Sequence, residues 1–136
     1  MRRVSKKQQK IIRELIQVYK TMRETRGQYC TGCGRSGIGL SHSHIIPRSR
    51  RPDLQTDINN ITYHCLIGQD GTKGCHQMWE CRDRIKLLDY HKNMEYILQN
   101  DTEYYFLIID CHAFYKKIKR PTMDTKTREG PAFNRQ

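Results

Sequence analysis

At 136 residues, with 36% hydrophobic residues and a mean hydropathy of −0.86, the chain has the length of one domain (1–136) and only a modest apolar core. No apolar run approaches the roughly 18 residues of a membrane span, and the basic start runs into polar SKKQQK where a signal peptide would turn apolar, so an intracellular, cytoplasmic protein is expected. Its 25 basic residues exceed its 14 acidic ones, and the surplus is one-sided: residues 1–51 hold 13 basic and 2 acidic residues, residues 52–136 hold 12 of each, which is the footprint of a polyphosphate partner.

In chain order, Ser5 offers an N-cap and Ile11, Leu15, Val18 and Met22 recur at helical spacing, predicting a basic helix within residues 1–28 that Gly27 ends. From Tyr29 to His64, glycines, prolines and the β-branched runs HSHII and NNITYH predict a two-stranded hairpin with a long Arg-rich connection. A helix is expected from His76 to about residue 99. Asp101 or Thr102 then caps another to about Lys119, with its aromatic residues in the core. The segment 121–136 has little to bury and is expected to be a flexible tail. The fold class is α+β: a core over residues 29–82, flanked by the N-terminal helix and by C-terminal helices over 83–120.

Residues 30–80 carry the chemistry. Cys30 and Cys33 form a CxxC pair, and Cys65 with Cys75 forms a second pair spread apart by LIGQDGTKG. Four cysteines arriving as two pairs supply the thiolates of a tetrahedral zinc site, with the Gly-rich insert turning the chain back to the ion. Cys81 and His64 stand as spare ligands, and Cys81 and Cys111 otherwise read as small apolar packing inside helices. Intracellular thiols stay reduced, which argues against three disulfides. Between the pairs, strand geometry puts His42 and His44 on one face of a strand that Pro47 ends. Asn60 follows 16 positions after His44, and His76 directly follows Cys75.

The array Cys30-x-x-Cys33, His44-Ile-Ile-Pro-Arg-Ser, Asn60 and Cys65…Cys75-His76 resembles the HNH endonuclease family, in its small stand-alone, phage-type form. The resemblance covers about fifty residues. It implies a ββα-metal core that binds one catalytic divalent ion (Mg²⁺, or Mn²⁺ or Ni²⁺), braced by a structural Zn²⁺ on the four cysteines. Carried over by position, His44 becomes the general base, Asn60 the asparagine that orients it or helps hold the metal, and His76 the metal-binding histidine opening the helix. The products implied are a 5′-phosphate and a 3′-hydroxyl.

Three positions depart from that pattern. Ser43 stands where the family carries a histidine or aspartate ligand, leaving His42 to reach the ion or the ion to rely on water, as hard Mg²⁺ tolerates. The second cysteine pair carries a nine-residue insert. Glu80 replaces the second histidine, and four residues after His76 it shares that residue's helical face.

The expected function is metal-dependent hydrolysis of DNA phosphodiester bonds. Histidine is suited to take a proton from water near pH 7, while the ion relieves charge on the phosphate and the leaving 3′ oxygen. Arg48, Arg50 and Arg51, directly after the histidine strand, are assigned to the phosphate backbone of double-stranded DNA. The alternative is a zinc-stabilised nucleic-acid-binding module without catalysis. No specificity domain is visible, so a homodimer through the C-terminal helices or a targeting protein partner is compatible with the sequence. A phage-encoded chain would act in the host cytoplasm.

Overall fold

The computed structural model describes residues 2–113. Contacts group the chain into two compact units, Met1–Ile97 and Leu98–Gln136. The expected end of the last helix at Lys119 and the tail over 121–136 lie outside the described residues.

The first unit opens with α1 (Lys6–Thr25). Ser5 and Gln8 form a reciprocal cap: the Gln8 backbone N–H donates to Ser5 Oγ (3.2 Å) and the Ser5 N–H to Gln8 Oε1 (3.1 Å), satisfying two helix-start donors. Leu15 and Met22 are buried with Ile61 and Tyr63, and Ile11, Val18, Tyr19, Leu40 and Ile58 pack against them. All four apolar positions read from the helical spacing therefore face this core. Arg26 closes the helix, and its guanidinium donates to Ile61 O (2.6 Å) and Ile58 O (2.9 Å), fastening α1 to the start of the second strand.

Strands β1 (Leu40–His44) and β2 (Ile61–Cys65) pair antiparallel, with Ser41 opposite His64, Ser43 opposite Thr62 and His44 opposite Ile61. Opposite residues share a face, so the sheet has two different sides. Leu40, His42, Tyr63 and Ile61 line one; Ser41, Ser43, Thr62 and His64 line the other. The Arg-rich connection holds two single-turn 3₁₀ segments, Pro52–Leu54 and Ile58–Asn60. Tyr96 O–H donates to Asp57 Oδ2 (2.7 Å), while Asp57 Oδ1 accepts from the Asn59 N–H (3.0 Å), fixing the turn that delivers Asn60.

The helix expected from His76 to about residue 99 is instead broken into α2 (Cys75–Trp79), a 3₁₀ turn (Arg82–Lys86) and α3 (Tyr90–Asn100). Long-range bonds override helical propensity here. The Leu88 N–H donates to Gly32 O (2.9 Å), and the Asp89 carboxylate accepts from Thr31 Oγ1 (2.7 Å) and lies 2.8 Å from His64 Nε2. Cys81 consequently lies outside a helix, half-buried, with its thiol 3.4 Å from Met78 O. In the second unit residues 102–113 are helical; Thr102 Oγ1 donates to Leu98 O (3.1 Å) and the Tyr104 N–H to Asp101 Oδ1 (3.1 Å). Cys111 is exposed, against the expectation of packing, and Tyr105 is half-buried. No helix among the described residues is long and apolar enough to cross a membrane.

Candidate metal centre and adjoining histidines

The Sγ atoms of Cys30, Cys33, Cys65 and Cys75 all lie within 4.8 Å of one another, and this is the only such group of three or more potential ligands among the described residues. Tetrahedral zinc thiolate bonds of about 2.3 Å place sulfurs about 3.8 Å apart, so the cluster can close on a metal such as zinc with sub-ångström shifts. Two turns build it. In the first, Gly34 adopts φ +81° and its N–H donates to Cys30 O (2.7 Å), the reversal that lets both CxxC thiols face inward. In the second, the nine-residue insert folds into its own small hairpin: Ile67 bridges Lys73 and the Gly68 N–H donates to Thr72 O (3.0 Å), returning Cys75 to the end of β2. A Cβ on Gly74 would collide with Cys65 O and the Leu66 carbonyl carbon, so that return admits only glycine.

Backbone donors already point at the sulfurs. The Cys65 N–H donates to Cys30 Sγ (3.2 Å) and the Cys75 N–H to Cys65 Sγ (3.3 Å). Arg35 adds Nε to Cys33 Sγ (3.4 Å) and Nη2 to Cys65 Sγ (3.3 Å), anchored by a bond to Ile67 O (2.7 Å). Burial pushes the Cys33 thiol up, but Arg35 and the neighbouring donors outweigh it and bring it down to about 6. Burial raises Cys30 and Cys75, with neighbouring thiols adding to the rise at Cys75. Cys33 is thus largely a thiolate at neutral pH, while Cys30 and Cys75 keep their protons until a divalent cation replaces them, and Arg35 would offset the negative charge of a bound thiolate set. Arg35 escaped the sequence reading, although it stands only two residues after Cys33. Neither spare ligand joins the cluster: His64 is bonded to Asp89 and Cys81 lies near Asp83.

His44 ends β1 with Nε2 2.9 Å from Gln55 O. A carbonyl only accepts, so Nε2 carries the hydrogen and Nδ1 keeps its lone pair. Burial lowers the His44 pKa; the Gln55 carbonyl opposes it, and the charges of Arg48 and His76 lower it further. The ring is therefore neutral and basic at Nδ1 at physiological pH. Asn60, fully buried, does not touch it directly. Its Oδ1 accepts from the Ile46 N–H (2.7 Å), and its Nδ2 donates to Ile46 O (3.1 Å) and Leu54 O (3.2 Å), stapling both ends of the connection whose next residue holds His44.

His76 and Glu80 share one face of the chain at α2, with Nε2 3.6 Å from Glu80 Oε1. On its other side, His76 Nδ1 lies 3.0 Å from Ser41 Oγ. His42 does not join them: its ring stacks on Tyr19 of α1 at 3.7 Å between centroids and tilts against Tyr63. Burial, then Arg23 and His44, lower its pKa. Ser43 is only 2% exposed, on the opposite face of β1 from His42 and His44. His76 and Glu80 thus remain together, an imidazole and a carboxylate that could hold a divalent ion otherwise bound by water.

The three arginines differ. Arg48 is exposed beside His44, Arg50 is half-buried, and Arg51 is engaged by Asp53 in a fork of 2.8 and 2.7 Å. A buried network below the sheet also escaped the sequence reading: Thr31 Oγ1 bridges Asp89 and Thr62 Oγ1 (2.8 Å), and Trp79 Nε1 donates to Ile45 O (3.0 Å), tying α2 to the strand end. No protein-family model matches the chain, and no curated protein or solved structure matches it.

Proposed function

We propose that the chain is a metal-dependent endonuclease of the HNH type that hydrolyses DNA phosphodiester bonds, with His44 as general base. The observation that carries this reading is the hold on His44: a backbone carbonyl fixes the tautomer that leaves Nδ1 free, and burial keeps the ring neutral. Asn60 maintains that hold through the connection it staples. His76 and Glu80 bind the divalent ion, which when bound polarises the scissile phosphate and stabilises the leaving oxygen. Arg48, exposed beside the base, meets a phosphate of the DNA backbone. The four cysteines hold zinc, which fixes the end of β2 against the start of α2 and so the two histidines relative to one another.

The test is cleavage of supercoiled plasmid by wild type and His44→Ala, with Mg²⁺, Mn²⁺ or Ni²⁺ supplied and EDTA as control. Metal-dependent nicking that falls at least 10²-fold in the variant, with DNA affinity retained, is the expected result. A folded, zinc-loaded, DNA-binding wild type that cuts nothing with any ion would favour the second reading, a zinc-stabilised nucleic-acid-binding module. That reading draws its support from His42, which packs on Tyr19 and leaves the ion two protein ligands.

A further inference from the structure

The geometry points to Ser41 as a positioning residue that sets the tautomer of His76 and leaves Nε2 bare to bind a divalent cation. The inference rests on the reading of His76 as a ligand and adds to it the group that makes His76 one. Ser41 Oγ stands between two partners, 3.0 Å from His64 O and 3.0 Å from His76 Nδ1. A hydroxyl has one proton to give and lone pairs to receive. The His64 carbonyl can only accept, so the Ser41 proton goes there, and the contact with His76 is completed by an N–H donated from Nδ1 into Oγ. In the neutral imidazole the lone pair then sits on Nε2, the nitrogen beside Glu80.

The arrangement is rigid where it needs to be. Ser41 lies in β1 opposite His64, so strand pairing fixes both its position and that of the carbonyl it donates to. His76 follows Cys75, whose N–H is tied to Cys65 Sγ at the end of the same β2. A relay of carbonyl, hydroxyl and imidazole thus runs from the sheet to the first turn of α2, doing for a ligand histidine what the Gln55 carbonyl does for His44, with the opposite ring nitrogen left bare. Outer partners that hold the second nitrogen of a ligand histidine contribute 10- to 100-fold to metal affinity.

The experiment is long-range ¹H–¹⁵N NMR of the His76 ring in the zinc-loaded protein at about pH 8, above the ordinary histidine range. It is joined to Mn²⁺ titration followed by the EPR signal of free Mn²⁺, on wild type, Ser41→Ala and Ser41→Thr. Wild type should show hydrogen on Nδ1 and a bare Nε2. Ser41→Ala should move the population toward Nε2–H and weaken Mn²⁺ binding about 10-fold, and Ser41→Thr, which keeps the hydroxyl, should restore both. Hydrogen on Nε2 in the wild type would overturn the inference without recourse to a variant, and so would an alanine variant unchanged in tautomer or in Mn²⁺ affinity. A wild type with Nδ1–H and bound Mn²⁺ that cuts no DNA would support the role of Ser41 while refuting the nuclease reading.

Discussion

Two imidazoles in one small protein can do different chemistry only if each is told which nitrogen to leave bare. His44 gives its Nε2 hydrogen to a backbone carbonyl, and burial makes its charged form costly. Because the folded pKa lies below the ordinary value of about 6.5, stability from this residue is full above about pH 6.5 and is lost as pH falls through the folded value. For the proposed nuclease the same sign applies: the acid limb of a kcat/KM profile for plasmid cleavage should fall below pH 6.5, since a histidine base would work only while neutral. A limb at or above 6.5 would mean that another group is the base. Sequence spacing singled out His44 and Asn60 but could not tell that Asn60 bonds to the connection rather than to His44. Its bonds go to Ile46 and Leu54, backbone groups whose proximity exists only after the connection has folded.

The elements follow local rules until tertiary bonds intervene. The capping residue, apolar stripe and stop of α1 are all local, and the sequence predicts them closely. The β1–β2 hairpin was equally legible from its β-branched runs. What could not be read was the break after α2, because the bonds of Leu88 and Asp89 reach back to Gly32, Thr31 and His64, far away in sequence. Nor could strand alternation foresee that His42 would be taken up by Tyr19 of a different element. The insert in the second cysteine pair proves to be a self-contained hairpin that leaves ligand geometry intact, and its last residue is the sensitive one. Gly74→Ala should cost about 3 kcal/mol, at the upper end for single substitutions, and should lower zinc affinity. Thermal unfolding with and without chelator checks this, and an alanine variant that melts like wild type and retains zinc would contradict the close approach described.

For the molecule as a whole, charge would govern how the proposed DNA partner is met. The excess of basic residues over acidic ones lies in residues 1–51, including α1 and the stretch beside His44, while residues 52–136 are balanced. Binding should therefore weaken steeply with salt. Within that field, Arg48→Gln should reduce the slope of log K against log salt by about 1, the loss of one phosphate contact. Arg51→Gln should change it less, because Asp53 already holds that guanidinium in a fork. Fluorescence anisotropy of a labelled duplex over a salt series distinguishes the two, and equal effects would mean that Arg51 leaves Asp53 on binding.

The place of Cys75, directly before His76, has an energetic corollary. One ligand of the cysteine cluster and the first residue of the His76–Glu80 pair are joined by a single peptide bond. On the proposed reading, loss of zinc would free the start of α2 from the end of β2 and so separate His76 from Ser41. If both proposed ions bind, they should be thermodynamically linked: zinc would raise affinity for the second cation, and by reciprocity the second cation would tighten the hold on zinc by the same factor. The cysteines would so act as a gate on the proposed chemistry. On that reading, stripping the metal or oxidising the cysteines would silence the histidines without touching either one.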